Sequence, residues 1–410
     1  MVTESLFSGL KVVDCASYIA GPAATTVLSD FGAEVVKIEP PGIGDPYRFL
    51  YKTPPNPVLD ENYYWELTNR NKRSLCLDLK NPQAAEVIER LAKWADVFVT
   101  NYPPQVRRGL KVTYEDLSPI NPRLIYADIT GYGEKGPEAD KPGFDLTAYW
   151  ARSGLMEYTR NAGSPPTIPI PGSGDHATAI TLYAAIVTAL YRRERTGLGS
   201  SVSTSLIAEG AWMTGPWLHA GLNGAQFEVL DRRKSKNPLG GETYQTADAR
   251  WLILCLLSGD RDWPIFAKAI SREDLLGDQR FATGKGRALY AETLVNELDG
   301  TFASRPLSEW KAILDAARLA YGVVQIPAEI VSDPQLFAND IVVPLADGAG
   351  GVRYTVSNPL TIRDAPKVPP RRAPELGEHT EQVLGELGFD AAQIADLQAH
   401  GVAPVAKTAA

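Results

Sequence analysis

The first 130 residues repeat one pattern: a short valine-rich apolar run, a turn, and a helical stretch. LKVVDCAS is a strand pattern that ends in small residues. Residues Gly21 to Gly32 have helical spacing, and AEVVKIEPP is a second strand stopped by Pro40 and Pro41. SLCLDL, DVFVTNYPP and RLIYADITGYG are the third, fourth and fifth strands. NPQAAEVIERLAKWA reads as a helix with an asparagine cap, proline in its first turn and an early glutamate. Strands alternating with helices in this order imply a parallel sheet covered on both faces. Ligands of such sheets sit beyond the carboxyl ends of the strands. Here those ends read CASYIAG, NYPP and TGYG.

A chain of 410 residues is too long for one simple core. After an apolar helix over Ala177–Arg193, RERTGLGSSVSTSL gives a glycine turn and another strand. Residues 207–227 look helical, broken at Gly215–Pro216, and DRRKSKNPLGGETYQTADAR is a polar connection. WLILCLL is a strand and the following stretch to WKAILDAARLA is mostly helical. The expected organisation is a large domain at 1–227, a smaller one at 228–330, and a segment at 331–410 returning to the first.

The composition bounds the function. A net charge of −8 argues against general nucleic-acid binding but leaves room for a local basic pocket. The three cysteines, Cys15, Cys76 and Cys255, form no C-x-x-C pair, and the four histidines show no metal spacing. His379 and His400, in the polar tail, read as surface residues. The opening MVTESLFSGL has no charged region followed by an apolar one, and no apolar run reaches the length of a membrane span. A cytoplasmic enzyme without a membrane anchor or a permanently bound cofactor is the expectation.

Four stretches carry chemistry. GYGEKG at 131–136 matches G-x-G-x-x-G, yet Pro137 and Pro142 follow, so no helix opens there to face a pyrophosphate. NRNKRS at 69–74 is either a solvated turn or a phosphate grip. NYPPQVRRG adds Arg107 and Arg108 after a strand end. Asp175, in PGSGDHATA, is either an N-cap for the helix behind it or a nucleophile. On the second reading, Gly172, Ser173 and Gly174 leave room for a bulky reacting group. Tyr18, Trp150, Trp212 and Trp217 are aromatic near these motifs, and each singly reads as core.

The order of these pieces resembles the class III CoA-transferases, a group that includes formyl-CoA transferase, the carnitine and bile-acid CoA-transferases and the alpha-methylacyl-CoA racemases. The resemblance rests on LFSGLKVVDCASYIAGPAATTVLSDFGAEVVKIEPPGIGDPYR, NRNKRSLCLDLKNP, DVFVTNYPP, ITGYGEKGP, PGFDLTAYWARSG, GDHATAITLYAAIVTALYRRERTGLGSSV and APELGEHTEQVLGELGF. It implies an α/β fold: a Rossmann-like large domain with a parallel sheet, plus a smaller α+β domain, in an interlocked dimer. It implies a transferase that moves CoA from an acyl-CoA donor to a carboxylic acid acceptor, with Asp175 as covalent nucleophile. By the same resemblance Ala20, Asn71, Lys72, Arg73, Asn101, Tyr102, Arg107 or Arg108, Tyr132 and Gly133 contact coenzyme A. Gly240 and Gly241 resemble a glycine lid. Ile19 stands where formyl-CoA transferase has a glutamine, which implies an acceptor less polar than oxalate. Phe144–Asp145 stands where the racemases have His-Asp, which removes one of the two bases a racemase needs. An acyl-CoA racemase and a non-catalytic CoA-binding subunit of a heteromeric enzyme are the alternatives.

Overall fold

A computed structural model describes residues 5–227, 229, 231, 237–346 and 352–405. The polar stretch 232–236 and the tail 406–410 lie outside the described residues. The chain divides into two compact units, Met1–Met156 with Ile168–Ala225 and Gln335–Ala410, and Glu157–Thr167 with Gln226–Pro334.

The first unit opens with β1 (Lys11–Cys15), α1 (Ala20–Asp30), β2 (Glu34–Glu39), α2 (Tyr47–Leu50), α3 (Tyr63–Asn69) and β3 (Arg73–Cys76). Then come α4 (Ala84–Trp94), β4 (Val97–Thr100), α5 (Pro104–Leu110), α6 (Tyr114–Leu117) and β5 (Ile125–Thr130). A π-helical turn (Asp145–Ala151) and α7 (Leu155–Tyr158) lead to α8 (Ser173–Thr196), β6 (Ser200–Ser205), α9 (Leu206–Met213) and α10 (Gly215–Leu222). Six parallel strands stand in the order β3-β2-β1-β4-β5-β6. That is the doubly wound order expected of a nucleotide-type sheet.

The period of two in a strand separates the two cores. Val12, Val35, Val97, Val99, Ile125 and Ala127 share one apolar cluster with α1 and α8. Their neighbours Val13, Val36, Phe98 and Tyr126 share the other with α4 and residues near the C-terminus. Both faces are covered, so the strands read as unbroken apolar runs rather than alternating ones. Helix α4 begins at Ala84. Asn81 caps from outside it, its side chain accepting the Gln83 amide at 3.1 Å.

The second unit pairs β7 (Gly240–Gln245), β8 (Trp251–Cys255) and β9 (Tyr321–Val323) antiparallel. Its helices are α11 (Gly259–Ala269), α12 (Asp274–Gly277), α13 (Gly284–Leu289), α14 (Ala291–Phe302), α15 (Leu307–Ala316) and α16 (Pro327–Ile330). They enclose a core of Tyr244, Trp263, Phe266, Phe302 and Trp310.

The chain then re-enters the first unit with α17 (Pro334–Ala338), β10 (Val342–Pro344), β11 (Tyr354–Val356), α18 (Thr380–Glu386) and α19 (Ala391–Ala399). This segment closes the β3 edge. His379 donates its amide to Ser74 O at 3.0 Å, and Thr380 Oγ1 accepts from Cys76 N at 3.0 Å. Asp78 N donates to Val402 O at 2.8 Å. His379 is therefore not a free surface residue: it is half-buried, and its Nδ1 accepts the Ser74 amide at 3.3 Å. Among the described residues no helix is long and apolar enough to cross a membrane.

Candidate active site

Asp175 lies in the first turn of the 24-residue helix α8. It does not cap that helix. The cap position is Gly172, in a left-handed conformation (φ 88°), and no side chain there accepts an amide. The acceptor comes from 27 residues upstream: Asp145, on the π-helical turn, takes the Gly172 amide at 2.6 Å. The amides of Gly174 and Asp175 also favour its charge. Asp145 is buried, and burial pushes its carboxyl up against these amides.

Two carboxyl groups thus meet at the positive end of a long helix, where negative charge is favoured. Asp175 is half-buried. Burial first, and the charge of Asp145 second, push its carboxyl up to about 7. Among the described residues there is no group of three or more His, Cys, Asp or Glu side chains that could hold a metal ion.

The bareness of the loop has a different cause from the one expected. A Cβ on Gly174 would fall 2.2 Å from Asp145 Oδ1 and 2.4 Å from the Tyr149 ring. One on Gly172 would fall 2.7 Å from Ile19 Cδ1. These glycines make room for protein atoms. Ser173 is exposed and its Oγ accepts from Trp150 Nε1 at 3.2 Å.

The CASYIAG turn forms the neighbouring wall. Asn101 clamps Ser17, accepting its amide at 2.8 Å and donating to its carbonyl at 2.7 Å. Tyr102 is half-buried, and burial pushes its phenol up. Tyr18 has φ 63° and sets its ring edge against Phe144 at 6.1 Å. Ile19 and Ala20 are buried where α1 begins. Gly133 (φ 89°) donates to Thr130 Oγ1 at 2.9 Å, and Lys141 lies over the Tyr132 ring at 5.1 Å.

Several expected ligand contacts are committed elsewhere. Lys72 is buried, and its ammonium donates to Asp14 Oδ2, Pro22 O, Thr68 O and Asn69 Oδ1 at 2.7–3.0 Å. Four oxygen partners in a closed core leave no hydrogen for a phosphate, which corrects the grip expected of this lysine. Arg73 pairs with Glu386 at 2.7 Å. Through successive strand pairs it is level with Phe98, short of the Thr100 end of β4. Asn71 (φ 64°) accepts the Arg371 amide at 2.8 Å. Arg107 is buried against Glu134 at 2.5 Å and Asp128 at 3.5 Å. Arg108 is the exposed one of the two, 3.8 Å from Asp140. Gly240 and Gly241 open β7 in the second unit, Gly241 with φ 136°.

Trp212 and Trp217 are not core residues of this chain; they are 80% and 52% exposed. His176 faces a cavity of about 600 Å³ that Arg70 and Lys367 also line. Burial and the Arg70 charge push its imidazole down. Two residues that the sequence offered no reason to single out are Asp45 and Tyr47, of the GIGDPYR stretch. Tyr47 is buried and stacked on Tyr64 at 5.3 Å. Its phenol is raised by burial first, and then by the charges of Tyr64 and Asp175.

The sequence matches the model of CoA-transferase family III over residues 7–380. It is 34% identical over 390 residues to (R)-2-hydroxy-4-methylpentanoate CoA-transferase of Clostridioides difficile, covering 95% of this chain and 97% of that protein. It is 32% identical over 407 residues to cinnamoyl-CoA:phenyllactate CoA-transferase of Clostridium sporogenes, covering 96% of each. A crystal structure of a CaiB/BaiF family protein from Brucella suis matches with TM-score 0.82 at 27% identity, covering 94% of this chain and 100% of that one.

Proposed function

The chain belongs to CoA-transferase family III and is a class III CoA-transferase, and on that premise we propose that Asp175 is its nucleophile. The observation that carries the reading is a half-buried carboxylate in the first turn of α8, made more basic than usual by burial and by Asp145. A carboxylate with a raised proton affinity is the better nucleophile once ionised.

The steps follow. One Asp175 oxygen attacks the thioester carbonyl of the donor; the C–S bond breaks and gives an aspartyl anhydride and CoA thiolate. The thiolate attacks the Asp175 carbonyl, breaks its bond to the acyl oxygen, and releases the donor acid, leaving an aspartyl-CoA thioester. The acceptor carboxylate attacks that thioester and expels the thiolate. The thiolate then takes the acceptor's acyl group and frees the Asp175 carboxylate. Water must be kept out, or the anhydride is lost. A lid role for Gly240 and Gly241 is carried by resemblance alone.

Coenzyme A is assigned to the CASYIAG wall, with Ala20, Asn101, Tyr102, Tyr132 and Gly133 along its path and Arg108 at a phosphate. Asn71 and Arg73 keep a place at the rim. The acceptor is proposed to be a 2-hydroxy acid with a branched or aryl side chain. Two relatives act on acids of that kind by name, and Ile19 sets an apolar wall beside Gly172. The racemase reading is disfavoured because Phe144 supplies no base. The enzyme is proposed to act in the cytoplasm as a homodimer, interlocked as its relatives' resemblance implies. Exposed Trp212, Met213, Trp217, Leu218 and Leu222 on α9 and α10 support a covered face there.

The test is to trap the acid. The enzyme is incubated with cinnamoyl-CoA or acetyl-CoA, quenched with hydroxylamine and digested. A hydroxamate on the peptide with Asp175, absent in Asp175→Ala, is the expected result. Transfer that survives in Asp175→Ala would remove the nucleophile.

A further inference from the structure

The stretch GIGDPYR has no role in the chemistry above, yet it carries one of the most enclosed acids in the chain. Asp45 is 1% exposed. Gly42 and Gly44, with φ 87° and 69°, lie in the turn after β2 that leads to Asp45. Its carboxylate accepts the Tyr18 amide with both oxygens, at 3.1 and 3.2 Å, and the Tyr47 amide at 3.0 Å. Lys37, wholly buried, holds Asp45 Oδ2 at 3.0 Å and donates to Ala16 O at 2.7 Å. On the other side Asn101 grips Ser17 through both backbone groups. Residues 16, 17 and 18 are therefore each held by a buried or half-buried side chain from a different strand end or loop.

What they hold is unfavourable on its own. A tyrosine at φ 63° occupies the left-handed region, which bulky residues avoid. Such a backbone persists only where its surroundings impose it. A buried ion pair is a costly way to impose anything. The imposed geometry aims Tyr18 at Phe144 and sets Ile19 against Gly172, the cap of the Asp175 helix.

We propose that Asp45, fixed by Lys37, is a positioning residue: it holds Tyr18 in the left-handed conformation and so places Tyr18 and Ile19 as the wall against which the acyl group is presented to Asp175. The inference rests on the assignment of the site to the start of α8. It makes the GIGD turn a determinant of turnover, through an amide contact and without touching substrate.

Two comparisons test it in the full chain. Tyr18→Gly and Tyr18→Val both remove the ring and leave Asp45, Lys37 and Asn101 intact, so both keep the buried network. They differ in how they tolerate a positive φ. Tyr18→Val is expected to transfer CoA from cinnamoyl-CoA to phenyllactate about tenfold more slowly than Tyr18→Gly. It should also exchange the amides of residues 17–19 and 172–175 faster. In Asp45→Asn, kcat is expected to fall about tenfold while KM for the donor moves less than about twofold, and Tyr18 amide exchange should quicken. That penalty should shrink when Asp45→Asn is made in the Tyr18→Gly background. Equal exchange in Tyr18→Gly and Tyr18→Val overturns the proposal, with or without turnover of these probes. So does an Asp45→Asn penalty of the same size in both backgrounds. Failure to trap Asp175 in the wild type removes the nucleophile instead, and the exchange comparison still decides the role of Asp45.

Discussion

The charge of Asp145 helps to raise the Asp175 carboxyl, and that coupling can be read by pH. The proposed mechanism acylates the Asp175 carboxylate, and on it the rate should fall in acid with a midpoint near 7. In Asp145→Asn the neighbouring charge is gone while burial, the larger cause, remains. The midpoint should then move part of the way toward an ordinary aspartate, read from the pH profile of single-turnover hydroxamate formation. The same shift costs stability. A carboxyl raised from 3.8 to about 7 is comfortable when protonated, and its strain grows as pH rises through that window. Asp175→Asn should therefore be more stable than wild type above neutral pH, by at most ~4 kcal/mol, and the two should converge below about pH 4. Equal melting curves at pH 8 would sink this account. Asp175 stood out in the sequence because a lone acid among glycines needs a reason. Asp145 entered through the resemblance alone, beside Phe144, because its contact is with an amide 27 residues away.

At the level of elements, periodicity served well where one force dominates. Five strands and the helices between them were legible because burial on both faces writes valine runs and amphipathic repeats. The basic clusters misled because charge pattern does not say which way a side chain turns. Lys72 sits in a run that looks solvated, yet α1 and α3 fold over it and supply carbonyls. Lys72→Met is expected to destabilise the chain by ~3–5 kcal/mol, since it strips a buried partner from Asp14. It should leave the affinity of the folded fraction for CoA unchanged. Arg108→Ala should do the reverse, weakening CoA binding about tenfold with no change in melting temperature. Calorimetric titration with CoA beside a thermal melt separates the two.

For the whole molecule, the expected middle domain and the second compact unit share most of their residues, but the unit also recruits Glu157–Thr167. No linear reading of composition finds an eleven-residue excursion of that kind. The exposed tryptophans were equally hidden, because apolar residues on a helix look the same whether their own chain covers them or another does. The proposed homodimer should be visible by light scattering, and Trp212→Asp with Trp217→Asp should shift it toward monomer. An unchanged mass would place the covering surface elsewhere.

The return of the chain after Gln335 has a consequence for how the protein is made. The β3 edge is sealed by residues 379–402, and Val402 and Ala403 are fully buried in the core that β1 and β4 share. Everything between, including the whole second unit, leaves the ribosome first. The unit that starts earliest is thus finished last, and the half-built sheet must wait with its outer strand bare while more than a hundred residues are synthesised. Ribosome-arrested chains ending before α18 should bind chaperones and resist native-like folding, and release of the last few dozen residues should complete the sheet at once.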